Sequence, residues 1–163
     1  MSYRSAAVAA ALAIGLCAPA GAQVLTQRNV SLAMAKAIAE ASMRECASKG
    51  FPGTSVAVVD RAGQTVLIMR SDESTAQQPE MARRKAYTAR MFRRTTMDWA
   101  KRTLDDPVTE PQRDLEDVIA LAGGVPIMIG EESIGGVGSA GSTQPQDDAC
   151  AKAGVAAVAN QLR

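Results

Sequence analysis

The chain has 163 residues, with 18 lysine and arginine side chains against 17 aspartate and glutamate side chains. This near-neutral balance disfavours bulk nucleic-acid binding, which needs a strongly basic surface. The chain contains no histidine, which excludes a Ser-His-Asp triad, a histidine-ligated zinc site and histidine general-base chemistry.

The first 22 residues have the features of a signal peptide. Arg4 gives a positively charged start, Ala6–Ala18 is an apolar run, and Ala20-Gly21-Ala22 forms a cleavage site of small residues. The apolar run is too short and too rich in alanine for a stable membrane span. We therefore expect cleavage after Ala22, a mature single domain over residues 23–163, and a periplasmic or secreted location.

Two cysteines, Cys46 and Cys150, remain after this cleavage. Neither belongs to a C-x-x-C or C-x-x-C-H sequence, so a redox dithiol and a covalent c-type haem are disfavoured. An even number of cysteines in an exported chain favours one disulfide. The alternative is two buried free thiols, which cysteine tolerates well.

In chain order, the first predicted elements are a helix and a hairpin. Thr26 can cap a helix that runs to about Lys49, with its apolar residues at helical spacing. Val56–Val59 and Val66–Met69 are continuous apolar runs on either side of the turn Asp60–Gly63, which is typical of a β-hairpin. Because the runs are continuous, we expect helices to cover both faces of the sheet.

A basic helix is predicted from Pro79 to about Phe92, since proline is tolerated in the first turn. One face of this helix consists of small residues suited to close packing. Another face places arginines around a tyrosine at helical spacing. The small face comprises Ala82, Ala86 and Ala89, and the cationic face comprises Arg83, Tyr87, Arg90 and Arg94.

The segment after the basic helix is irregular. Thr95 or Thr96 can cap a short helix, Leu104–Leu115 is predicted as a long loop or mobile lid, and Ile119–Leu121 as a short strand. Charges are segregated here into a basic block and an acidic block, whose plainest interpretation is two solvated faces that attract each other. The basic block comprises Arg83, Arg84, Lys85, Arg90, Arg93, Arg94, Lys101 and Arg102, and the acidic block comprises Asp105, Asp106, Glu110, Asp114, Glu116 and Asp117.

The stretch Gly123–Ser142 has the pattern of a second β-hairpin and is unusually rich in glycine. Dense glycine marks the close approach of another backbone or of a ligand. Two interpretations stay open: a twisted hairpin packed under a helix, or a wall that faces a ligand. A last helix, capped by Ser142 or Thr143, closes the chain. The predicted fold is α+β, in the order α-β-β-α-(α)-β-β-α, with an antiparallel sheet between helical layers.

Several of these segments, in this order, resemble the GlcG/HbpS-like haem-binding family, which also includes the C-terminal domain of PduO-type proteins. The resemblance runs from about residue 25 to residue 160. It implies a profilin-like α/β/α sandwich, frequent oligomers, and haem or a corrinoid-related ligand in some members. The segments that carry it are Leu25-Thr26, Val56–Asp60 with Gly63, Arg84–Ala89, Gly123–Ile127 and Gly136–Ser139.

The leading hypothesis from this resemblance is an exported small-molecule binding protein, with haem as the favoured ligand and a homo-oligomer as the expected assembly. Arginine pairs with carboxylates in a bidentate fork, which suits the carboxylates of a haem. The candidate ligand-binding residues are Arg84, Lys85, Tyr87, Arg90, Arg94, Gly123, Gly124, Gly138 and Ser139. Without histidine, the candidate axial ligands of the haem iron are Met81, Tyr87, Lys85 and Met91.

Two alternatives come from different functional classes. The first is an enzyme that acts on a small organic hydroxy acid, with Tyr87 as acid or base, Lys85 as its electrostatic partner, and the Gly123 and Gly124 amides as oxyanion donors. The second is a structural or signalling oligomer without a ligand, in which the basic helix meets the acidic loop of a neighbouring copy. The family resemblance transfers no catalytic residue.

Overall fold

The computed structural model describes residues 23–51 and 53–163, so the predicted signal peptide lies outside the described residues. The elements follow the predicted order. They are α1 (Leu32–Ser48), β1 (Ser55–Asp60), β2 (Thr65–Arg70), α2 (Gln78–Phe92), α3 (Thr96–Arg102), a 3-10 turn (Glu110–Asp114), β3 (Gly124–Ile129), β4 (Glu132–Ala140), α4 (Gln144–Ala156) and a last 3-10 turn (Ala159–Gln161).

The strands form an antiparallel sheet in the order β2-β1-β4-β3. The two predicted hairpins supply β1–β2 and β3–β4, and they join through the central strands β1 and β4. Ala57 lies opposite Gly138 in that central pair, and Val125 lies opposite Val137 in the second hairpin. The predicted α+β fold with an antiparallel sheet is confirmed.

Helices cover both faces of this sheet, as the continuous apolar runs predict. On one face, α1 and α4 pack together over the main core, which includes Ile38, Val58, Ile127 and Val137. On the other face, α2 lies across the sheet and packs its small residues against Ala57. Strands β1 and β4 are therefore buried on both sides, because neither face of the sheet centre is left to solvent.

Glycines let the backbone of α2 lie directly on the second hairpin. A Cβ atom added at Gly138 would overlap the carbonyl oxygen of Ala82, and one added at Gly136 would overlap that of Ala86. Gly124 has the same relation to the carbonyl oxygen of Lys85. Of the two interpretations of the glycine hairpin, these contacts correspond to the hairpin packed under a helix.

The predicted disulfide between Cys46 and Cys150 is confirmed. It joins the end of α1 to α4, with the two Cα atoms 5.5 Å apart and a separation of 104 positions along the chain. Both cysteines are buried. In the chain-entropy model, closing a loop of this length stabilises the fold by about 4–5 kcal/mol.

The first helix starts later than the predicted cap at Thr26. Its N-cap is Ser31, whose Oγ accepts a hydrogen bond from the Met34 amide at 3.1 Å. The preceding segment is held instead by Asn29, whose side chain accepts from the Arg61 amide at 2.9 Å. Val30 is thereby buried in the core from outside the helix. Helical spacing alone does not show that this residue reaches the core from an extended segment.

The predicted strand at Ile119–Leu121 is wrong, because the segment has no strand partner in the described sheet. Its backbone amides bond to helix side chains: Ile119 donates to Thr88 Oγ1, and the neighbouring Ala122 donates to Gln144 Oε1, both at 2.9 Å. The preceding loop, Leu104–Leu115, contains the 3-10 turn. Within the part of the chain that the structure describes, no helix is long and apolar enough to span a membrane.

The contact between Gly138 and α2 predicts that Gly138→Ala will destabilise the fold by about 3 kcal/mol or more, since the new methyl group meets backbone rather than a movable side chain. Gly130→Ala is the control, because Gly130 has a φ of 58° and open space around it. This substitution should lower the free energy of unfolding by only about 1–2 kcal/mol, the cost of an alanine in a left-handed backbone conformation. Urea unfolding measures both. Equal losses would contradict the close helix–sheet contact.

Candidate functional site

Helix α2 presents the predicted site residues to two separate environments. Lys85 lies on the side of the helix that faces the sheet, and its side chain is buried. Tyr87 and Met91 lie on the outer side, where they are partly exposed. Residues two positions apart on a helix do not face each other, so Lys85 and Tyr87 cannot form one catalytic pair.

The inner environment is a buried ion pair between Lys85 and Asp147. Lys85 Nζ donates to Asp147 Oδ2 at 2.7 Å and to the Ser139 carbonyl oxygen at 2.9 Å, and both side chains are almost fully buried. Burial lowers the pKa of Lys85 and raises that of Asp147, while the attraction between the two opposes both shifts. Through these two contacts, Lys85 of α2 is bonded both to Ser139 near the end of β4 and to Asp147 in the first turn of α4.

Three of the predicted ligand residues belong to this buried cluster. A Cβ at Gly123, whose φ is 118°, would lie 2.7 Å from both Asp147 Cβ and the Ser139 carbonyl oxygen. The Gly124 amide donates to Thr96 Oγ1 at 2.8 Å, so it already has an acceptor. Lys85, Gly123 and Ser139 therefore converge, but they converge on Asp147 in the protein interior.

Sequence reasoning missed Asp147. The sequence shows Asp147 only as an acidic residue in the first turn of the last helix. A carboxylate at that position ordinarily interacts with the helix dipole. Asp147 Oδ1 does accept from the Ser142 amide at 3.1 Å. Its pairing with a lysine on another helix depends on tertiary packing that local sequence does not display.

The outer environment is a cleft of about 390 Å³. We call it the outer cleft, and it is lined by Tyr87, Met91, Phe92, Leu115, Glu116 and Val118. The lining is mostly apolar, with a phenol, a thioether and one carboxylate as its polar groups. Among the candidate axial ligands, the structure brings only Tyr87 and Met91 to this cleft; Met81 packs against Ala57 and Ala82.

The far wall of the outer cleft is held against α2 by polar contacts. Arg84 donates to the Val118 carbonyl oxygen, and Arg83 forms an ion pair with Asp117. The hydrogen bond from Arg83 lowers the pKa of Asp117. The predicted attraction between the basic and acidic blocks therefore occurs at this contact within one chain.

Gly63, in the β1–β2 turn, lies against Tyr87 and was not among the predicted site residues. A Cβ at this glycine, whose φ is 82°, would come within 2.8 Å of Tyr87 Cε2 and 3.8 Å of Met91 Sδ. The turn therefore supports both side chains. Its Asp60–Gly63 sequence signalled a turn, but not which helix the turn contacts.

A second cleft, of about 430 Å³, adjoins the outer cleft at the C-terminal end of α2. We call it the arginine cleft; Arg93 and Arg94 line it together with Met128, Gly130 and Glu131, and Phe92 lines both clefts. The Phe92 ring stacks on Trp99 with centroids 4.8 Å apart. The boundary between the apolar and the cationic cleft is thus a fixed aromatic side chain.

Arg90 contributes a further positive charge near this end of α2. Its Nε atom is buried and has no hydrogen-bond partner among the described residues. Burial, followed by the charges of Arg61 and Arg93, lowers its pKa, with Asp60 opposing. A partly desolvated guanidinium among like charges favours an anionic partner.

The described residues contain no group of three or more histidine, cysteine, aspartate or glutamate side chains placed to hold a metal ion. What the outer surface of α2 offers is an apolar cleft beside a cationic one. This combination suits an amphiphilic anion that has an apolar body and carboxylate groups.

The domain is therefore an α/β/α sandwich with a candidate ligand site on the outer side of α2, apart from its buried ion pair. Residues 30–156 match the family model for the haem-degrading protein HbpS-like family. The chain belongs to the HbpS-like family, which confirms the resemblance found in the sequence.

Individual relatives agree with this assignment. The crystal structure of the HbpS double mutant from Streptomyces reticuli is 30% identical, covers 94% of this chain and 97% of its own, and superposes with a TM-score of 0.78. A 15.0 kDa protein from the dhaT–dhaS intergenic region of Citrobacter freundii is 29% identical over 127 residues, which cover 73% of this chain and 84% of that protein. The structure of a PduOC–haem complex shares the fold, with 22% identity, a TM-score of 0.68, and coverage of 78% of this chain and 94% of its own.

The buried pair predicts that Lys85→Met will destabilise the protein by about 3–5 kcal/mol, because Asp147 is left as an unpaired buried charge. Combining it with Asp147→Asn should cost clearly less than the sum of the two single losses. Lys49→Met, at the exposed Lys49–Glu45 pair, should cost less than about 1 kcal/mol. Chemical unfolding of the four variants tests this; additive losses at Lys85 and Asp147 would contradict the pairing.

Proposed function

We propose that this chain is an exported small-molecule binding protein that holds haem in the outer cleft. The observation that carries the proposal is the apolar outer cleft directly beside the cationic arginine cleft, with Phe92 in the wall of both. A haem has the same two-part chemistry, since its macrocycle is apolar and its two carboxylates are anionic. Each part would lie in the cleft whose lining matches it.

The residues of the outer side of α2 fit this ligand. Arg93 and Arg94 are exposed at the arginine cleft, and their guanidinium groups would pair with carboxylates. Tyr87 and Met91 supply a phenol oxygen and a thioether sulfur, both known types of haem-iron ligand. Bound haem would supply iron redox chemistry, and the chain itself would supply the apolar wall, the cations and an iron ligand, Tyr87 or Met91.

Family membership supports the proposal from an independent direction. The matching family is described as that of a haem-degrading protein, and one structure with the same fold is a complex with haem. By contrast, no arrangement in the described residues favours the hydroxy-acid enzyme. Its proposed acid or base, Tyr87, lines the outer cleft, away from the other groups. In the interior, Lys85 is already ion-paired with Asp147 and the Gly124 amide already bonds to Thr96.

Haem binding predicts a saturable change in the Soret band and quenching of the Trp99 fluorescence, since Trp99 stacks on a residue of the cleft wall. The chain has one tryptophan, so the emission reports this location alone. Arg94→Glu should weaken binding roughly tenfold by reversing a charge beside the haem carboxylates. Tyr87→Phe and Met91→Leu, tested separately, should each leave the apolar wall of the outer cleft in place. Whichever of the two side chains binds the iron, its replacement should change the Soret spectrum of the bound haem.

Arg44→Glu is the matched control, because Arg44 is an exposed arginine on α1, across the sheet from α2. Its haem affinity should equal that of the unaltered chain. If no saturable Soret shift occurs, or if Arg94→Glu and Arg44→Glu behave alike, haem does not bind at this site.

Export and self-association are part of the same proposal. The buried disulfide supports an oxidising compartment such as the periplasm or the extracellular space. Exposed apolar side chains before and at the start of α1, with Leu25 73% and Leu32 63% exposed, support a homo-oligomer in which they are covered.

Export predicts a mature protein that begins at Gln23, because the charged start, apolar run and small-residue site all precede that position. Intact mass of the protein isolated from its native compartment measures this directly. Ala20→Arg should block the cleavage by placing a large charged residue at a position that requires a small one. A full-length mass for the unaltered chain would contradict the prediction.

A further inference from the structure

A separate cleft of about 350 Å³ lies between α3, the loop that follows it, and the start of α4. We call it the α3 cleft. Its apolar lining includes Met97, Leu104, Ala120 and Ala122. None of these residues lines the outer cleft or the arginine cleft, so the proposed haem site makes no use of this one.

Among the residues that the structure describes, two cations and no acidic side chain line the α3 cleft. They are Lys101 and Arg113. Neither forms an ion pair with any residue in the described ranges, whereas Arg61, Arg83 and Lys152 are all paired. In a chain with almost as many acids as bases, two unpaired cations in one apolar cleft form a local excess of positive charge.

Arg113 is held in place rather than free. Its Nε donates to Thr103 Oγ1 at 2.9 Å and its Nη2 donates to the Ala100 carbonyl oxygen at 2.7 Å. These bonds fix the guanidinium plane at the end of α3, while Nη1 makes no hydrogen bond within the described residues. A cation that is already ordered loses little entropy when an anion binds to it.

We propose that the α3 cleft binds a small carboxylic acid that has a short apolar chain. The carboxylate would pair with Lys101 and Arg113, and the chain would lie against Met97 and Leu104. Leu104 is 60% exposed in the free protein, so covering it with an apolar chain is favourable. A cleft of this volume is at the lower end of the range for small-molecule sites, which limits the ligand to a small one.

The experiment compares three probes that share a six-carbon body: hexanoate, hexan-1-ol and hexylammonium. Amide chemical-shift titration of the full mature chain locates and measures binding. Hexanoate should bind saturably and shift the amide signals of residues 97–104 and 120–122. It should bind more tightly than hexan-1-ol, and hexylammonium should not bind in the α3 cleft. Inorganic phosphate, which lacks an apolar body, should compete only weakly.

Two exposed residues allow substitutions that leave the fold intact. Lys101→Gln should weaken hexanoate roughly 3- to 10-fold and leave hexan-1-ol unchanged, because only the charge-assisted contact is lost. Leu104→Ala should weaken both. The matched controls are Lys36→Gln, another exposed lysine, and Leu115→Ala, another exposed leucine, and neither should alter hexanoate binding.

Several results would overturn the proposal. Equal affinity for hexanoate and hexan-1-ol would mean that the cleft does not recognise the carboxylate. If phosphate binds as tightly as hexanoate, the cleft does not recognise the apolar body. If hexanoate causes no saturable amide shifts, or only shifts at the outer cleft, it does not bind in the α3 cleft. Haem titration of Lys101→Gln should match the unaltered chain, so success or failure here is independent of the proposed haem function.

Discussion

The rest of this structure depends on the close contact between helix α2 and the second hairpin. Gly124 in β3 and Gly136 and Gly138 in β4 put no side chain between these strands and the carbonyl oxygens of α2. The helix therefore approaches the sheet until the two backbones are in contact. Ala82 and Ala86 are the matching small residues on the helix. Because this interface has no long side chains to repack, it fixes both the height and the rotation of α2 over the sheet.

The rotation of α2 decides which of its residues can bind a ligand. With the alanine side against the hairpin, Lys85 enters the interior and must find a buried counter-ion, which Asp147 supplies from α4. The same rotation turns Tyr87 and Met91 outward, against the β1–β2 turn at Gly63. The buried ion pair and the outer cleft are thus formed by opposite sides of one helix. A rotation of α2 would displace the residues of both.

The fold could be predicted well from the sequence because its signals are local. The order of elements, the two hairpins and the cysteine pair follow from apolar runs, turn residues and the even number of cysteines that the predicted cleavage would leave. The start of α1 could not be predicted from Thr26, because Asn29 binds the distant Arg61 amide and holds the preceding segment extended. The strand predicted at Ile119–Leu121 is wrong for a similar reason, because the Ile119 amide bonds to the side chain of Thr88 in another element.

The candidate site could be predicted only in part, because it depends on which side of a helix faces which neighbour. Helical spacing placed Arg83, Tyr87, Arg90 and Arg94 on one stripe. In the structure, Arg83 pairs with Asp117, Tyr87 lines the outer cleft, and Arg94 lines the arginine cleft. Long arginine side chains separate in this way because each extends toward the nearest anion or open surface, which the spacing of their Cα atoms does not encode.

The absence of histidine has a consequence for how tightly this surface could hold a haem. The chain has no imidazole to offer the iron, and the thioether of Met91 is a neutral donor. The free energy of binding would then come mainly from the apolar wall and the arginine–carboxylate pairs. Such a site favours a ligand that enters and leaves, rather than a permanently ligated prosthetic group, and this agrees with a cleft that lies open on the outer side of α2.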